Sequence, residues 1–143
     1  IKKRFIEKID QLTNDEIIKL NDQDLQSIGI SFRKATYIKN VFKYFKESRF
    51  NFKIASNQDV INELTIIKGI GSWSCEMFLM FVLLRINIFS KGDLALINSI
   101  RINYKIDVND NHKLDTLVET WSPYKSVASL LLWKSIEERY FYT

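Results

Sequence analysis

Apolar residues recur along this chain at spacings of three and four, and no stretch alternates in the way a strand would. The pattern therefore predicts an all-α fold, a helical bundle. Thr13 and Glu16 form a capping box for a helix that runs to Leu20, and Gly29 ends a short helix over 22–28. The other predicted helices cover 1–9, 32–48 behind a Ser31 cap, 56–64, 72–85, 92–104, 111–120 and 123–140, the last with Pro123 in its first turn.

Composition indicates a single globular domain. Hydrophobic residues make up 46% and charged residues 27% of 143, and no apolar run reaches the roughly 18 residues of a membrane span. The only cysteine, Cys75, excludes a disulfide framework and a cysteine-ligated zinc or iron–sulfur site. Without a signal-peptide pattern, an intracellular protein is expected, located in the cytoplasm or nucleoid if the source is a prokaryote. The uncapped first helix, with lysines opposing its dipole, leads us to expect further sequence upstream.

Positive charge is concentrated between residues 31 and 53. This stretch holds seven Lys and Arg residues against one acid, Glu47, whereas the net charge of the whole chain is only +4. A local surplus of this kind suits a polyanion such as DNA. A solvated helix face is the alternative explanation.

Two of the four glycines, Gly69 and Gly71, stand one residue apart between two predicted helices. Apolar residues at 64, 67, 75 and 78 can pack those helices together, with Ile70 in the crevice between them. A turn this tight favours residues without a Cβ, and it leaves backbone N–H groups bare at the start of the next helix. Those donors and the helix dipole predict an anion site that suits a DNA phosphate. A tight turn with no ligand remains the alternative.

Four segments together resemble one family. "LTIIKGIGSWSCEMFLMF" resembles the helix–hairpin–helix of the DNA glycosylase superfamily that carries a Gly-Pro-Asp-type loop, and "FSKGDLALINSI" (89–100) resembles that loop. "WSPYKSVASLLLW" (121–133) and "IGISFRKATYIKNV" (28–41) resemble segments of its alkylpurine branch, the 3-methyladenine DNA glycosylase II type. The family's wedge-bearing helix, which precedes this region, has no counterpart here. The resemblance thus implies the C-terminal two-thirds of a glycosylase domain, with its hairpin at 64–78.

The resemblance implies base-excision repair, in which an alkylated purine is hydrolysed from its sugar and an abasic site is left. Asp93 matches the family's catalytic acid. A carboxylate there would stabilise an oxocarbenium-like transition state and can orient or deprotonate water. On its residue type alone, Asp93 is a good helix N-cap. The two roles are compatible, because a helix N-terminus keeps an aspartate ionised.

Aromatic residues of the matched segments indicate how the base would be bound. Trp73 and Trp133 match aromatic positions of the family's pocket, and Tyr124 lies close to them in the sequence match. Alkylated purines such as 3-methyladenine are cationic, and an aromatic face attracts them. Ordinary core packing is the alternative for all three. Trp73 also occupies the place where glycosylases that cut the DNA backbone carry a lysine nucleophile, so the resemblance implies a monofunctional enzyme.

The expected partner is double-stranded DNA with alkylated bases, bound by a monomer away from any membrane. We expect no cofactor and no metal, apart from a monovalent cation that the hairpin could hold when DNA is bound. Two other functions remain open: a non-catalytic helix–hairpin–helix DNA-binding module, which has no need of Asp93, and a structural helical bundle in a larger assembly. The predicted DNA-binding residues are Gly69, Ile70, Gly71, Ser72, Arg33, Lys34 and Lys125.

Overall fold

The computed structural model describes residues 1–107 and 109–141, and all regular structure in these ranges is helical. The predicted all-α fold is therefore confirmed. The helices are α1 (Lys2–Ile9), α2 (Asn14–Lys19), α3 (Asp22–Ser27), α4 (Phe32–Glu47), α5 (Asn57–Leu64), α6 (Ser72–Phe81), α7 (Leu94–Tyr104), α8 (Asn111–Glu119) and α9 (Lys125–Phe141). None of the helices in these ranges is both long enough and apolar enough to cross a bilayer.

Side-chain caps determine where several helices begin. The hydroxyl of Thr13 accepts a bond from the Glu16 N–H at 3.3 Å while the Glu16 carboxylate accepts one from the Thr13 N–H at 2.8 Å, so the predicted capping box is present. Ser31 starts α4 by accepting from the Lys34 N–H, and Ser56 starts α5 in the same way. Each cap satisfies a backbone donor that the first helical turn leaves without a partner.

The chain divides into two compact units, Ile1–Gly71 and Ser72–Thr143. The hairpin predicted over 64–78 contributes its first half to unit 1 and its second half to unit 2, and the single-domain assignment stays a prediction. In unit 1, α2 and α3 pack on α4. One buried cluster there consists of Leu25, Ile30 and Ala35, with Phe5, Leu20, Ile28 and Ile38 packed against them.

In unit 2, α7 packs on α9 around a second apolar cluster, which holds α7 in place. The Ser99 hydroxyl, fully buried on α7, donates to the Leu132 carbonyl oxygen at 2.8 Å and lies 2.9 Å from the Ser135 hydroxyl. Asn103 donates to both Ser99 and Ser135. These hydrogen bonds join the second half of α7 to α9. The buried cluster comprises Leu96, Ile100, Leu114, Val118 and Leu132.

Helix α6 ends at Phe81, so the predicted extent of 72–85 is wrong at its end. The chain leaves the helix because Leu84 has a left-handed φ of 55°, which an α-helix cannot contain. The Arg85 N–H then bonds the Leu79 carbonyl at 2.9 Å and closes the turn. The apolar run across this point contains no glycine or proline, so nothing in the sequence signals the break.

Two later helices also begin after the predicted positions. Helix α7 starts at Leu94 and not at Gly92, because Asp93 is its N-cap. Helix α9 starts at Lys125, which leaves Pro123 ahead of the helix and outside its first turn. There the Tyr124 N–H bonds the Trp121 carbonyl at 2.6 Å, so these residues form a turn of their own.

Candidate functional site

Asp93 is a buried carboxylate at the start of α7. Its side chain is 8% exposed, and its Oδ1 accepts a bond from the Leu96 N–H at 3.0 Å, which confirms the predicted N-cap. The Asp93 N–H donates to the Ser90 carbonyl at 3.2 Å, so the loop before the helix is closed as well. Backbone bonds on both sides thus fix the position of this carboxyl group.

Two indoles converge on this carboxylate. The Nε1–H of Trp73 donates to Asp93 Oδ2 at 2.9 Å, and the Nε1–H of Trp133 lies 3.5 Å from Oδ1. Trp73 is the second residue of α6, and it remains 51% exposed. The structure therefore brings together Asp93, Trp73 and Trp133, which the sequence analysis selects. The sequence pattern does not reveal that the indole N–H groups make the contact.

The pKa of Asp93 lies below the ordinary value of 3.8 and is the net result of two opposing influences. Burial, the largest single cause, favours the neutral acid and raises the pKa. Hydrogen bonds from Trp73, the Leu96 N–H, Trp133 and the Ala95 N–H favour the anion, and together they outweigh burial. At neutral pH the site therefore presents a fixed negative charge, which can stabilise a cationic transition state beside it.

Phe81 is an aromatic residue of this site that the sequence analysis does not select. Its ring stacks on Trp133 with centroids 6.0 Å apart and planes 27° apart, and it is 53% exposed. Phe81 lies about two helical turns after Trp73 on α6. The spacing of eight residues from Trp73 could have indicated that Phe81 lies on the same side of the helix. The apolar run around Phe81, however, is typical of a buried helix. We refer to Asp93, Trp73, Phe81 and Trp133 as the Asp93 site.

Tyr124 does not join these residues. It is 60% exposed in the turn before α9, and among the described residues no hydrogen bond or ring contact links it to the Asp93 site. The neighbouring Lys125, predicted to contact phosphate, forms an ion pair with Glu119 at 2.5 Å, and its side chain is 16% exposed. Any phosphate contact by Lys125 would compete with this carboxylate.

The predicted phosphate-binding turn lies at the end of unit 1. We call residues 67–71 the glycine turn. Gly69 has φ +108°, and a Cβ there would lie 2.1 Å from Cγ of Tyr37 on α4. The Asn40 side-chain amide, one turn further along α4, donates to the Lys68 carbonyl at 3.1 Å. Helix α4 thus supports the glycine turn by a close ring contact and a hydrogen bond.

Gly71 differs from Gly69 in its surroundings. A Cβ at Gly71 would meet no atom within 4 Å, and its φ is outside the left-handed region. The turn therefore has a steric need for glycine at Gly69 and none at Gly71. Ile70 is half-buried and its N–H donates to the Ile67 carbonyl at 3.0 Å, while Ser72, the first residue of α6, is exposed.

Basic side chains of unit 1 fall into two groups. Lys39 forms an ion pair with Asp22, and Lys46 forms one with Asp15. Arg33 and Lys34 are exposed in the first turn of α4. They lie about one helical turn before Tyr37, the residue that contacts the glycine turn. In the basic stretch, some cations are therefore engaged in ion pairs, whereas Arg33 and Lys34 are exposed to solvent.

Within the ranges that the structure covers, no group of three or more His, Cys, Asp or Glu side chains is arranged to hold a metal ion. The carboxylate of Asp93 is instead surrounded by hydrogen-bond donors and aromatic rings.

Comparisons with curated proteins identify relatives over most of the chain. It is 34% identical over 129 residues to "Putative DNA-3-methyladenine glycosylase YfjP" of Bacillus subtilis, which covers 86% of the chain and 44% of that protein. It is 28% identical over 133 residues to DNA-3-methyladenine glycosylase 1 of Schizosaccharomyces pombe, covering 86% and 56%. The chain thus spans about half the length of the curated relatives it matches.

Solved structures give the same result. A DNA-3-methyladenine glycosidase from Bacillus halodurans matches with a TM-score of 0.70 and 35% identity, over 86% of this chain and 58% of that one. The 3-methyladenine DNA glycosylase Mag1 of Schizosaccharomyces pombe, in complex with abasic DNA, matches with a TM-score of 0.78 and 27% identity, over 87% and 63%. No protein-family model matches the chain. The sequence relatives and the structural neighbours are DNA-3-methyladenine glycosylases, and the similarity of this chain to them is consistent with the helix–hairpin–helix DNA glycosylase superfamily.

Proposed function

We propose that this chain carries the catalytic part of a monofunctional DNA glycosylase of the 3-methyladenine glycosylase II type. It would act in base-excision repair, hydrolysing the bond between the sugar and an alkylated purine and leaving an abasic site. The observation that carries the proposal is the buried Asp93 carboxylate, whose oxygens accept bonds from Leu96 and Trp73. The similarity to DNA-3-methyladenine glycosylases supports the same activity.

The chemistry follows from the charge that develops as the bond breaks. When a purine leaves, the sugar acquires oxocarbenium character, and a fixed carboxylate beside it lowers the energy of that state. Asp93 is ionised and cannot turn away, because the Leu96 N–H and the indoles hold both of its oxygens. Water then attacks the sugar carbon. No step requires a cofactor, and a monovalent cation would enter only at the hairpin when DNA is bound.

The leaving base would be held by the aromatic residues of the Asp93 site. A base removed from a duplex must first be flipped out of the stack, which costs a few kcal/mol and less for a damaged pair. Trp73 and Phe81 both expose about half of their surface, and Phe81 is stacked on Trp133. Such ring faces attract an electron-poor, cationic purine by stacking and cation–π forces. Tyr124 would take part only from the edge of this site.

Duplex DNA is the proposed partner, bound by a monomer. The backbone of Gly71 is open to a phosphate, since a Cβ built there meets no atom within 4 Å apart from Gly71 and its chain neighbours. Arg33 and Lys34 offer exposed cations in unit 1. Contacts of this kind position a protein on DNA without reading its sequence. The structure of Mag1 with abasic DNA, a relative in this comparison, supports DNA as the partner.

The monofunctional assignment rests on Trp73. A lyase needs a lysine amine that attacks the sugar carbon, and an indole cannot form a Schiff base. The Trp73 N–H is moreover bonded to Asp93. Borohydride should therefore trap no covalent complex between the protein and damaged DNA. A trapped complex formed at a yield comparable to that of base release would overturn this assignment.

A gel assay tests the proposed activity. Duplex DNA treated with a methylating agent is incubated with the protein and then analysed with and without alkali. We expect strand breaks only after alkali, which cleaves abasic sites. Undamaged duplex is the substrate control, and Asp93→Asn protein is the enzyme control. A protein that binds both duplexes but leaves methylated DNA free of abasic sites would be the non-catalytic DNA-binding module considered above.

A further inference from the structure

Trp73 has two features that are rarely combined. Its ring is 51% exposed, yet its single polar atom is committed to a buried carboxylate oxygen at 2.9 Å. A residue that served only as an aromatic surface for a base would have no need to direct its N–H at Asp93. An indole N–H is a donor only, so its one hydrogen bond fixes the direction of the ring.

Trp73 reaches a different carboxylate oxygen from Leu96 and Trp133. The Leu96 N–H at 3.0 Å and the Trp133 N–H at 3.5 Å both address Oδ1. Oδ2 receives the Trp73 N–H at the shorter distance of 2.9 Å. A carboxylate held at one oxygen can still rotate about its Cβ–Cγ bond, because that terminal torsion is broad. The bond at the second oxygen removes this freedom.

We propose that Trp73 is a positioning residue, whose indole N–H holds Oδ2 and thereby fixes the plane of the Asp93 carboxylate. This proposal rests on the glycosylase function proposed above. Trp133, with its longer contact to the oxygen that Leu96 already holds, has a smaller part in the same task. The aromatic face of Trp73 stays available for the base, so one side chain serves both the charge and the substrate.

The physical reason for such a device is preorganisation. A charge that must stabilise a developing cation is most effective when it needs no reorientation at the moment of reaction. Hydrogen bonds to a charged group are also stronger than bonds between neutral groups. Because the Trp73 bond favours the anion, its loss would raise the pKa of Asp93 towards the ordinary value.

Trp73→Phe tests the proposal, because phenylalanine keeps an aromatic face and lacks the N–H. Single-turnover release is measured across pH for a cationic alkylated base, 7-methylguanine, and for a neutral alkylated base, 1,N6-ethenoadenine. We expect both rates to fall by a similar factor, on the order of ten-fold to a hundred-fold, while DNA affinity changes little. The acid limb of the rate profile should move to higher pH. Trp133→Phe, the matched control, should lose less.

The opposite pattern would overturn the proposal. If Trp73→Phe slows only the release of the cationic base and leaves the acid limb in place, Trp73 is an aromatic surface and nothing more. Equal effects of Trp73→Phe and Trp133→Phe on the acid limb would remove the special role of the Oδ2 bond.

A second measurement does not depend on activity. The Nε1–H of Trp73 gives its own peak in a ¹H–¹⁵N spectrum, which can be followed as Asp93 is protonated. We expect this peak to move with the pKa of Asp93 and to shift in Asp93→Asn protein, whereas the Trp121 peak stays in place. If the peak follows Asp93 but the parent protein releases no base, the glycosylase function fails and Trp73 holds an N-cap. If the parent is active and the peak ignores Asp93, only the positioning role fails.

Discussion

The glycine turn and the Asp93 site use their residues in opposite ways. In the glycine turn, two identical residues have different reasons to be there: Gly69 makes room for the Tyr37 ring, whereas a Cβ at Gly71 would meet nothing. In the Asp93 site, different donors serve one purpose, because backbone N–H groups and two indoles all stabilise one carboxylate.

The comparison shows that residue type is a poor guide to role. Gly69 is explained by the packing of unit 1, so its presence says nothing about DNA. Gly71 has no such explanation in the described structure, so a ligand that approaches its backbone becomes the better reason for it. In the same way, Trp73 is explained less by its ring than by its N–H. Each substitution below removes one of these reasons and leaves the others in place.

The largest effect is expected for Asp93→Asn. Release of 7-methylguanine should fall by about 10²- to 10³-fold, because the variant loses the charge that stabilises the transition state. Asn still caps α7, but its amide nitrogen cannot accept from one of the facing donors, so a loss of about 1–3 kcal/mol in unfolding free energy is also expected. DNA affinity should be equal or higher.

Asp110→Asn is the matched control, because Asp110 caps α8 by accepting from the Lys113 N–H at 3.0 Å. It should lose stability by a fraction of that amount and keep its rate of base release. Near-normal turnover by Asp93→Asn protein, measured well below its melting temperature, would contradict the assignment of Asp93.

Gly69→Ala should be the most destabilising change in the glycine turn. The new Cβ would lie 2.1 Å from the Tyr37 ring on a backbone with φ +108°. We expect a loss of about 2 kcal/mol or more, seen as a melting temperature lower by roughly 5–10 °C. Adding Tyr37→Ala should recover part of the loss, because it removes the clash and leaves the strained φ. An unchanged melting temperature would show that this packing is not present in solution.

Gly71→Ala should separate binding from stability. With open space at its Cβ position, we expect an unfolding free energy within about 1 kcal/mol of the parent value, and higher if the freedom of the unfolded chain is reduced. DNA affinity should fall about three- to ten-fold, equally for intact and abasic duplexes, because the methyl group would keep a phosphate from the backbone. Unchanged affinity for both duplexes would leave Gly71 without a role in binding.

The smallest effect is expected at Lys125. Its ammonium group is already paired with Glu119, so Lys125→Gln should change DNA affinity less than Lys34→Gln, which removes an exposed cation of α4. The measurement is the slope of log affinity against log salt. A full phosphate contact contributes about 0.9 to that slope, so Lys34→Gln should reduce it by about this amount and Lys125→Gln by less than half of it. The reverse order would show that the Glu119 pair opens when DNA binds.

Much of the fold could be predicted because helix starts are encoded locally. Thr13, Ser31 and Ser56 each place a hydroxyl three residues before the N–H that it caps, and all three helices begin there. The end of α6 could not be predicted in this way. Leu84 adopts φ 55° in an apolar run that a helix would equally accept, and no residue type in that run marks the point where the helix stops.

The Asp93 site, too, contains residues that the sequence predicts and residues that it does not. The residue type of Asp93 predicts a helix N-cap, and the family resemblance selects Trp73 and Trp133. No spacing in the sequence indicates which atom of each indole ring faces the carboxylate. Phe81 lies in an apolar stretch that is typical of a buried helix, although about half of the Phe81 side chain is exposed. The catalytic, base-binding and DNA-binding roles of these residues stay predictions that the experiments above address.

The arrangement of the tryptophans makes the intrinsic fluorescence of the protein sensitive to the Asp93 site. The chain has three, and two of them contact Asp93. The third, Trp121, packs against Phe89 and Tyr104 with centroid separations of 6.0 and 5.9 Å. Indole emission depends on the hydrogen bond of the ring and on its contact with solvent. In Trp121→Phe protein, all tryptophan fluorescence would therefore originate beside the carboxylate, and its colour and intensity would follow the arrival and departure of a base without any attached dye.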